Sequence, residues 1–350
     1  MNPKVKKFLS FLFIALSIAA VIIIAFSNPE LKDAWATMRS LRKRWLAGAF
    51  LCWVCYAGFD SLGNRIYLRS KGFRLKFGRM MNITLLGFFY SNITPGAAGG
   101  QPMQVSSMRK AGIPVAYGTA SVTIRLVANQ FAICALALGL YLTHRTYAQA
   151  QLGDALWVVR IGWLINFSTV PLLLLAGFRE RWIRKAVGAL IRLGAKMHIV
   201  RNPESADSSM AETVETYGKA MRELVRSPGQ ILVQLCCSIL SMLGVTGTII
   251  AVYHAFGLTG TAPLQILTLS CLLFVSVSYT PLPGASGAQE GGFLLYFRDV
   301  FTGGTIGLAL LVWRFFTYYL FLLAGPAVLL ADKGMKRREK QQVGETGQVA

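Results

Sequence analysis

The stretch PGAAGGQ at residues 95–101 recurs as PGASGAQ at residues 283–289. Five of the seven positions are identical, and the other two exchange only small residues. Each copy ends or interrupts a short apolar piece, at about residues 81–94 and 263–280. Proline interrupts a helix because it lacks an N–H, and glycine tolerates unusual backbone angles. The repeat therefore predicts two broken helices of the same construction.

Each copy is followed by a long apolar segment that contains one arginine. Arg125 lies 30 positions after Pro95, and Arg314 lies 31 positions after Pro283. An arginine at the centre of a membrane helix costs about 2.5–3.5 kcal/mol on insertion scales. This cost favours a functional role for at least one arginine. A structural ion pair, for instance with Glu290, and extension of the side chain to the membrane interface are the alternatives.

The composition is that of a membrane protein, since 54% of the 350 residues are hydrophobic and only 15% are charged. A helix of about 20 apolar residues crosses a bilayer. Six segments approach that length, at about 8–26, 45–63, 115–142, 156–177, 230–256 and 304–331. We expect an all-α polytopic membrane protein with about six full transmembrane helices and two re-entrant broken-helix hairpins. A cleaved signal peptide is the alternative for the first segment, but its apolar run is long for a signal sequence.

The net charge of +21 could indicate a nucleic-acid partner, but the positions of the basic residues argue against one. Most of them fall in segments that the predicted spans place on one side, namely residues 4–7, 65–79, 109–110, 179–226 and 333–340. By the positive-inside rule this side, with both termini, faces the cytoplasm and its anionic leaflet. The exception is residues 31–44, which carry five basic residues on the outer side; Trp35 lies within this stretch and Trp45 directly follows it. An interfacial helix would explain them.

The same charge pattern gives the two broken segments opposite orientations. The first lies between the basic residues 65–79 and 109–110, so it enters and leaves from the cytoplasm. The second follows residues 253–262, which contain no lysine or arginine, so it enters from outside. Inverted repeats whose broken helices meet near the bilayer midplane are found in many secondary transporters. A break must be buried in protein or line a polar cavity, because lipid cannot satisfy its backbone groups.

Taken together, these segments predict one transmembrane domain over residues 1–332. A disordered basic tail is predicted over residues 333–350. Residues 178–228 predict surface helices on the cytoplasmic leaflet, with a capping box at 209–212; a solvated linker is the alternative. The six cysteines lie inside apolar segments, and the three histidines lack metal-ligand spacing. We therefore expect no metal and no cofactor.

The two breaks and the two arginines predict a binding site for an anion. A half-helix that begins near Gly99 or Gly287 directs its N–H groups and positive dipole end at the cavity. Arginine binds phosphate or carboxylate in bidentate fashion. The predicted substrate-binding residues are Asn92, Gly99, Gly100, Gln101, Arg125, Asn129, Gly287, Gln289, Glu290 and Arg314. The predicted break residues are Pro95, Gly96, Pro281, Pro283 and Gly284.

At residues 92–102 (NITPGAAGGQP) and 281–292 (PLPGASGAQEGG) the sequence resembles the lysylphosphatidylglycerol synthase transmembrane family, also called flippase-like membrane proteins. The resemblance covers about residues 5–335. It implies a translocase for anionic or aminoacylated phospholipids, or for lipids linked to isoprenoid phosphate. Bifunctional members carry a soluble aminoacyl-transfer domain, whereas this chain ends soon after Asp332. We therefore expect a transporter and no lipid synthesis, with a separate lipid-modifying enzyme as a possible partner.

Two other functions share parts of this pattern. A membrane-embedded enzyme acting on a lipid phosphate would use Glu290 as general base and the arginines to stabilise charge, but we find no nucleophile or metal set. A carrier for a small organic anion would share every electrostatic feature of the site. The sequence does not specify which lipid is moved, the energy source or the oligomeric state.

Overall fold

The computed structural model describes residues 34–178, 222, 227–278 and 280–331. Eleven helices cover most of these residues, and no strand occurs among them. They are α1 (Ala34–Ser40), α2 (Lys43–Ser70), α3 (Phe77–Ile93), α4 (Gly100–Lys110), α5 (Val115–Thr143), α6 (Arg145–Leu152), α7 (Leu156–Phe178), α8 (Pro228–Ala255), α9 (Pro263–Val277), α10 (Ala288–Tyr296) and α11 (Ile306–Ala331). The predicted helix at 8–26, the predicted surface helices between residues 179 and 226, and the predicted tail lie outside the described residues, apart from the single residue Arg222.

Four of the described helices, α2, α5, α8 and α11, are long and apolar enough to cross a membrane. They coincide with four of the segments predicted from hydropathy, and α7, with 23 residues, coincides with a fifth. The helix α2 continues to Ser70, beyond the predicted apolar stretch, because nothing in residues 64–70 breaks a helix. The prediction of an all-α polytopic membrane protein is confirmed.

The helices α2 and α8 pack antiparallel along most of their length. The N–H of Arg42, just before α2, donates to the carbonyl of Ala255 at the end of α8, at 3.0 Å. Midway, Gly244 of α8 lies so close to α2 that an added Cβ would be 2.8 Å from the backbone nitrogen of Tyr56. Near the other end, Gly63 of α2 packs against the side chain of Gln234. The pair therefore defines two opposite ends of the molecule.

We call the end where α2 finishes the basic end, because it carries Arg69, Lys71, Arg74 and Lys76, together with Arg109 and Lys110 of α4. The hairpin α3–α4 starts and finishes there. Its two outer ends share a buried apolar cluster with the end of α2, formed by Tyr67, Met80, Met108 and Ile113. That this end faces the cytoplasm stays a prediction.

The hairpin α9–α10 starts at the opposite end, where α8 finishes. Thr268 of α9 lies 3.3 Å from the ring of His144 at the end of α5. The side-chain amide of Gln151 in α6 donates to the carbonyl of Tyr296, the last residue of α10, at 3.5 Å. The two hairpins therefore enter the molecule from opposite ends, as the charge pattern predicted, and the inverted repeat is confirmed.

The tips of the two hairpins meet inside the molecule. The N–H of Gly96 donates to the carbonyl of Pro281 at 2.9 Å. Each tip contains a short 3₁₀ turn, Pro95–Ala97 in the first and Pro283–Ala285 in the second. Gly96 and Gly284 have φ values of 58° and 59°, and the following Ala97 and Ala285 have φ values of 56° and 51°. The repeat seen in the sequence is thus a repeat of backbone geometry.

Candidate functional site

A cavity of about 650 Å³ lies where the two hairpin tips meet. This volume is within the range of small-molecule sites, about 300–1,000 Å³. Nine of the residues predicted from sequence line it, from both repeats: Asn92, Gly96, Gly100, Gln101, Arg125, Asn129, Gly284, Gln289 and Arg314. The structure therefore brings together two distant regions of the chain, residues 92–129 and 284–314.

The cavity wall also contains a substantial apolar part. It includes Phe88, Leu126, Ile133, Phe274, Trp313 and Phe321. Polar groups from the breaks and apolar side chains from the surrounding helices thus face the same space. Such a lining fits a ligand that has both a polar and an apolar portion.

Arg314 is held firmly in the second repeat. Its Nε donates to Oε1 of Glu290 at 2.6 Å, and its Nη2 donates to the carbonyl of Gly284 at 3.2 Å and to Oγ of Ser286 at 3.3 Å. The guanidinium also lies 4.6 Å from the ring centroid of Tyr318, which is a cation–π distance. Both charged residues are buried, with 3% of Arg314 and 5% of Glu290 exposed. A π-helical segment, Phe315–Tyr319, follows Arg314 directly and carries Tyr318.

Glu290 binds the start of its own helix as well as Arg314. Its Oε2 accepts the N–H of Gly287, the residue before α10, at 2.6 Å. A glutamate at this third helical position commonly reaches back in this way, and its charge is favourable at a helix N-terminus. Glu290 stands behind Arg314 and does not line the cavity. Both of its carboxylate oxygens therefore already accept hydrogen bonds from other groups of the protein.

The N–H group that precedes the helix at the first break is also used within the chain. Gly99 donates to Oγ1 of Thr94 at 2.9 Å. The anion-binding role expected for the N–H groups of Gly99 and Gly287 therefore requires these internal hydrogen bonds to break. Gly100 and Gln101 line the cavity and begin α4, where first-turn N–H groups have no partner within the helix. These two residues are the better-placed backbone donors.

Arg125 is paired in the first repeat, with a residue that the sequence analysis missed. Its Nη1 donates to Oδ1 of Asp60 on α2 at 2.8 Å, and its Nη2 is 3.4 Å from Oε1 of Gln104. Only 8% of Arg125 and 2% of Asp60 are exposed. Asn129 donates to the same Oδ1 at 3.2 Å, and Ser121 donates to Asn64 of α2 at 2.8 Å. Ser121, Arg125 and Asn129 of α5 therefore all face α2.

The sequence did contain a signal for Asp60. It is the only acidic residue in the predicted span 45–63, and an ionisable residue inside a membrane helix is a functional candidate by default. The signal was weak because nothing in the local pattern connects Asp60 with Arg125. Asp60 lies behind Arg125 and, like Glu290, does not line the cavity.

The family assignment follows from comparison with known sequences. The sequence model of a family described as "Lysylphosphatidylglycerol synthase TM region" matches residues 8–325. The chain belongs to this family. The match contains both breaks, both arginines and both of their carboxylate partners. A "UPF0104 membrane protein" from Archaeoglobus fulgidus is 24% identical over 316 residues, which cover 87% of this chain and 92% of the relative.

In this member of the lysylphosphatidylglycerol synthase TM region family, the charges that the described residues bring to the cavity balance. The guanidiniums of Arg125 and Arg314 are compensated by the carboxylates of Asp60 and Glu290. The ion pair with Glu290, which was an alternative at the sequence level, is thus present. Removing one partner of a buried pair typically costs about 3–5 kcal/mol, because the other charge is left uncompensated. The pairs keep both guanidiniums at the cavity wall.

The prolines of the breaks act on the backbone rather than on the cavity directly. Pro95 and Pro283 each occupy the first position of a 3₁₀ turn, where a missing N–H has no cost. Pro281 supplies the carbonyl that accepts the N–H of Gly96. None of the three lines the cavity. They fix the shape of the two tips that Gly96 and Gly284 present to it.

Proposed function

We propose that this protein is a lipid translocase, which moves an anionic or modified phospholipid, or a polyisoprenyl-phosphate-type lipid, between the two leaflets. The main observation behind this proposal is that two broken hairpins, which enter from opposite ends, meet at one cavity whose wall contains both buried arginines. Inverted repeats of this kind bind substrate at the repeat interface and alternate access by moving one repeat against the other.

The lining of the cavity supports a lipid headgroup as the ligand. A phosphate would accept hydrogen bonds from Arg125 and Arg314, since each guanidinium has five N–H donors, of which internal hydrogen bonds use two in Arg125 and three in Arg314. Gln101 and Gln289 add one polar side chain from each repeat. The apolar part of the wall would accommodate the beginning of the lipid tails. The tails themselves would remain in the bilayer while the headgroup crosses.

The positions of the two acidic residues support transport rather than chemistry. Glu290 is the residue that an enzyme acting on a lipid phosphate would use as general base, but both of its oxygens are bonded within the protein. Asp60 is paired with Arg125. We place the protein in the cell membrane with its basic end in the cytoplasm, where the anionic leaflet attracts lysine and arginine. A separate enzyme would supply the lipid if the lipid is a modified one.

Lipid movement by purified protein in liposomes tests this function. Phosphatidylglycerol, lysyl-phosphatidylglycerol and a polyisoprenyl phosphate, each with a fluorescent label, are offered in turn, and a membrane-impermeant quencher reports the labelled fraction in the outer leaflet. We expect faster exchange of at least one lipid. Arg125→Ala or Arg314→Ala should slow it about 10-fold or more, because a hydrogen bond to a charged group contributes about 1.5–3 kcal/mol.

Arg298→Ala is the matched control. Arg298 is exposed and pairs only with its neighbour Asp299 among the residues that the structure describes, so its loss should leave exchange unchanged. Mass spectrometry of the lipids distinguishes translocation, which preserves their mass, from an enzymatic reaction. Competition by a soluble organic phosphate, without any lipid movement, would instead indicate a carrier for small anions. Equal exchange in wild type and in both cavity-arginine variants would refute the mechanism.

A further inference from the structure

The two ion pairs at the cavity differ in one respect that has chemical consequences. Both carboxylate oxygens of Glu290 have a hydrogen-bond donor. Oδ2 of Asp60 has none among the residues that the structure describes, although it is buried. Nε of Arg125 and Oδ1 of Asn129, which belong to the same cluster, also lack a partner within that part of the chain. In the pair of Asp60 with Arg125, one carboxylate oxygen therefore has no hydrogen-bond donor among the described residues. In the pair of Glu290 with Arg314, both carboxylate oxygens have one.

A buried polar atom without a partner is rare in folded proteins and calls for an explanation. A carboxylate oxygen in this position accepts a proton readily when the charge that compensates it moves away, because an isolated buried carboxylate is strongly disfavoured. When a ligand is bound, two oxygens can accept the hydrogen bond that Arg125 donates. One belongs to Asp60, and the other would belong to a phosphate in the cavity that Arg125 itself lines.

We propose that Asp60 is a proton-binding site that couples headgroup binding to proton uptake. This inference rests on the proposed translocase function. On binding, the hydrogen bond from Nη1 of Arg125 to Oδ1 of Asp60 breaks, and Arg125 donates to a phosphate oxygen instead. A proton from the aqueous phase adds to Oδ2 of Asp60 at the same time. On release, the proton leaves and the ion pair forms again.

The charge balance of the cavity supports this exchange. The charges of the described residues at the cavity sum to zero while both ion pairs are intact, so an anionic headgroup alone would bring an uncompensated negative charge into a low-dielectric site. One proton for each singly charged headgroup keeps the site neutral in both states. Asp60 is suited to receive the proton, whereas Glu290 is not, because the N–H of Gly287 already occupies its second oxygen.

Among the residues that the structure describes, Asp60 is the acidic member of its cluster. Arg125 approaches it from α5. Tyr56 lies one turn away on its own helix, and Cys237 faces it from α8; both interact with it electrostatically. The helix α3, which also packs on α2, carries no charged residue after Arg79 in its first turn. The helix α11 contacts α2 through its π-helical segment, whose neighbouring charge, Arg314, is paired with Glu290.

The proton is measured directly by calorimetry on the detergent-solubilised protein. A short-chain phosphatidylglycerol is titrated into the protein in buffers of different ionisation enthalpy, and the dependence of the heat on the buffer gives the number of protons taken up. We expect about one proton per lipid bound by the wild type. Asp60→Asn should remove this uptake, and Asp60→Glu, which retains a carboxylate, should restore it. Asp154→Asn, at an exposed residue outside the cavity, should behave as wild type.

The same exchange makes transport respond to a pH gradient. In liposomes with the membrane potential clamped, a gradient of one pH unit should drive about a tenfold asymmetry of labelled phosphatidylglycerol at steady state for one proton per lipid. Asp60→Asn should lose this asymmetry. A sodium gradient at equal pH should have no effect.

The outcomes separate this inference from the proposed function. Lipid binding or exchange by the wild type without proton uptake, uptake that persists in Asp60→Asn, or dependence on sodium instead of pH would overturn the coupling and leave the translocase function intact. Absence of both binding and exchange for all three labelled lipids would overturn the translocase function, and the coupling with it.

Discussion

At the scale of single residues, Gly96 and Gly284 occupy equivalent positions in the two breaks but have different surroundings. Both have φ near +60°, a conformation in which a side chain is strained. A Cβ added to Gly96 would meet nothing within 4 Å, whereas one added to Gly284 would lie 2.1 Å from Cε2 of Tyr318. Tyr318 is the residue whose ring covers Arg314 and whose hydroxyl donates to the carbonyl of Asn92 at 3.3 Å. Gly284 is therefore required both by the backbone and by the packing of the site.

This difference predicts unequal effects of the same substitution. Gly96→Ala should lower the free energy of unfolding by about 1–2 kcal/mol, the cost of a left-handed conformation with a side chain. Gly284→Ala should cost a further amount of about 1–3 kcal/mol, because Tyr318 must move away. Melting midpoints of the purified proteins in detergent measure both. Equal midpoints for the two variants would contradict the packing shown at the second break.

At the scale of elements, the first hairpin depends on the close approach of its two helices. A Cβ added to Gly100 of α4 would lie 1.9 Å from Oγ of Ser91 and 2.7 Å from the carbonyl oxygen of Gly87, both on α3. Gln104, one turn further along α4, fills the space beside Gly87 in the same way and contacts Arg125. The spacing of α3 and α4 thus determines where Gln104 meets the arginine.

We therefore expect Gly100→Ala to separate the two helices of the hairpin and to weaken both stability and lipid binding. Gly291→Ala is the matched control, since Gly291 also lies in a short helix after a break, α10, and its added Cβ would meet nothing within 4 Å. This control should raise the free energy of unfolding by about 0.5–1 kcal/mol, because alanine favours a helix over glycine. Melting midpoints and lipid-binding isotherms of both variants check the expectation. An unchanged midpoint for Gly100→Ala would refute the close contact.

At the scale of the whole molecule, the two hairpins are related by an inversion, and the connections that lead into them differ in charge. The connection between α2 and α3, residues 71–76, carries Lys71, Arg74 and Lys76, while the connection between α8 and α9, residues 256–262, carries no lysine or arginine. The positive-inside rule predicts that the first connection lies in the cytoplasm. The antiparallel packing of α2 and α8 requires the second to be on the other side.

Cysteine labelling tests this orientation. In a protein from which the six native cysteines have been removed, Lys76→Cys and Thr259→Cys place single thiols at exposed positions of the two connections. In intact cells a membrane-impermeant maleimide should label the Thr259→Cys protein only, whereas the Lys76→Cys protein should react after the membrane is opened. Labelling of both thiols in intact cells, or the reverse pattern, would contradict the proposed orientation.

The sequence by itself determined the features that depend on short stretches of chain. The helical spans follow from hydropathy, because a membrane helix satisfies its own backbone hydrogen bonds. Its position can therefore be predicted from its own residues, without knowledge of the helices that pack against it. The breaks follow from the repeated proline and glycine residues, and their opposite entry follows from the distribution of charge. Arg125, Arg314 and seven other residues that line the cavity could be named for the same reasons.

Only the tertiary structure decided which acidic side chain pairs with which arginine. Asp60 and Arg125 are 65 positions apart, and their contact depends on the rotation of α5 against α2, which no local pattern specifies. The second carboxylate oxygen of Glu290 is saturated because Gly287, with φ of 86°, turns its N–H towards it. Among the described residues the first pair has no equivalent donor, since its carboxylate comes from the middle of a long helix whose N–H groups are already bonded. Because of this difference, both carboxylate oxygens of Glu290 are bonded within the protein. Under the proposal, Arg125 can exchange its hydrogen bond to Asp60 for one to a phosphate.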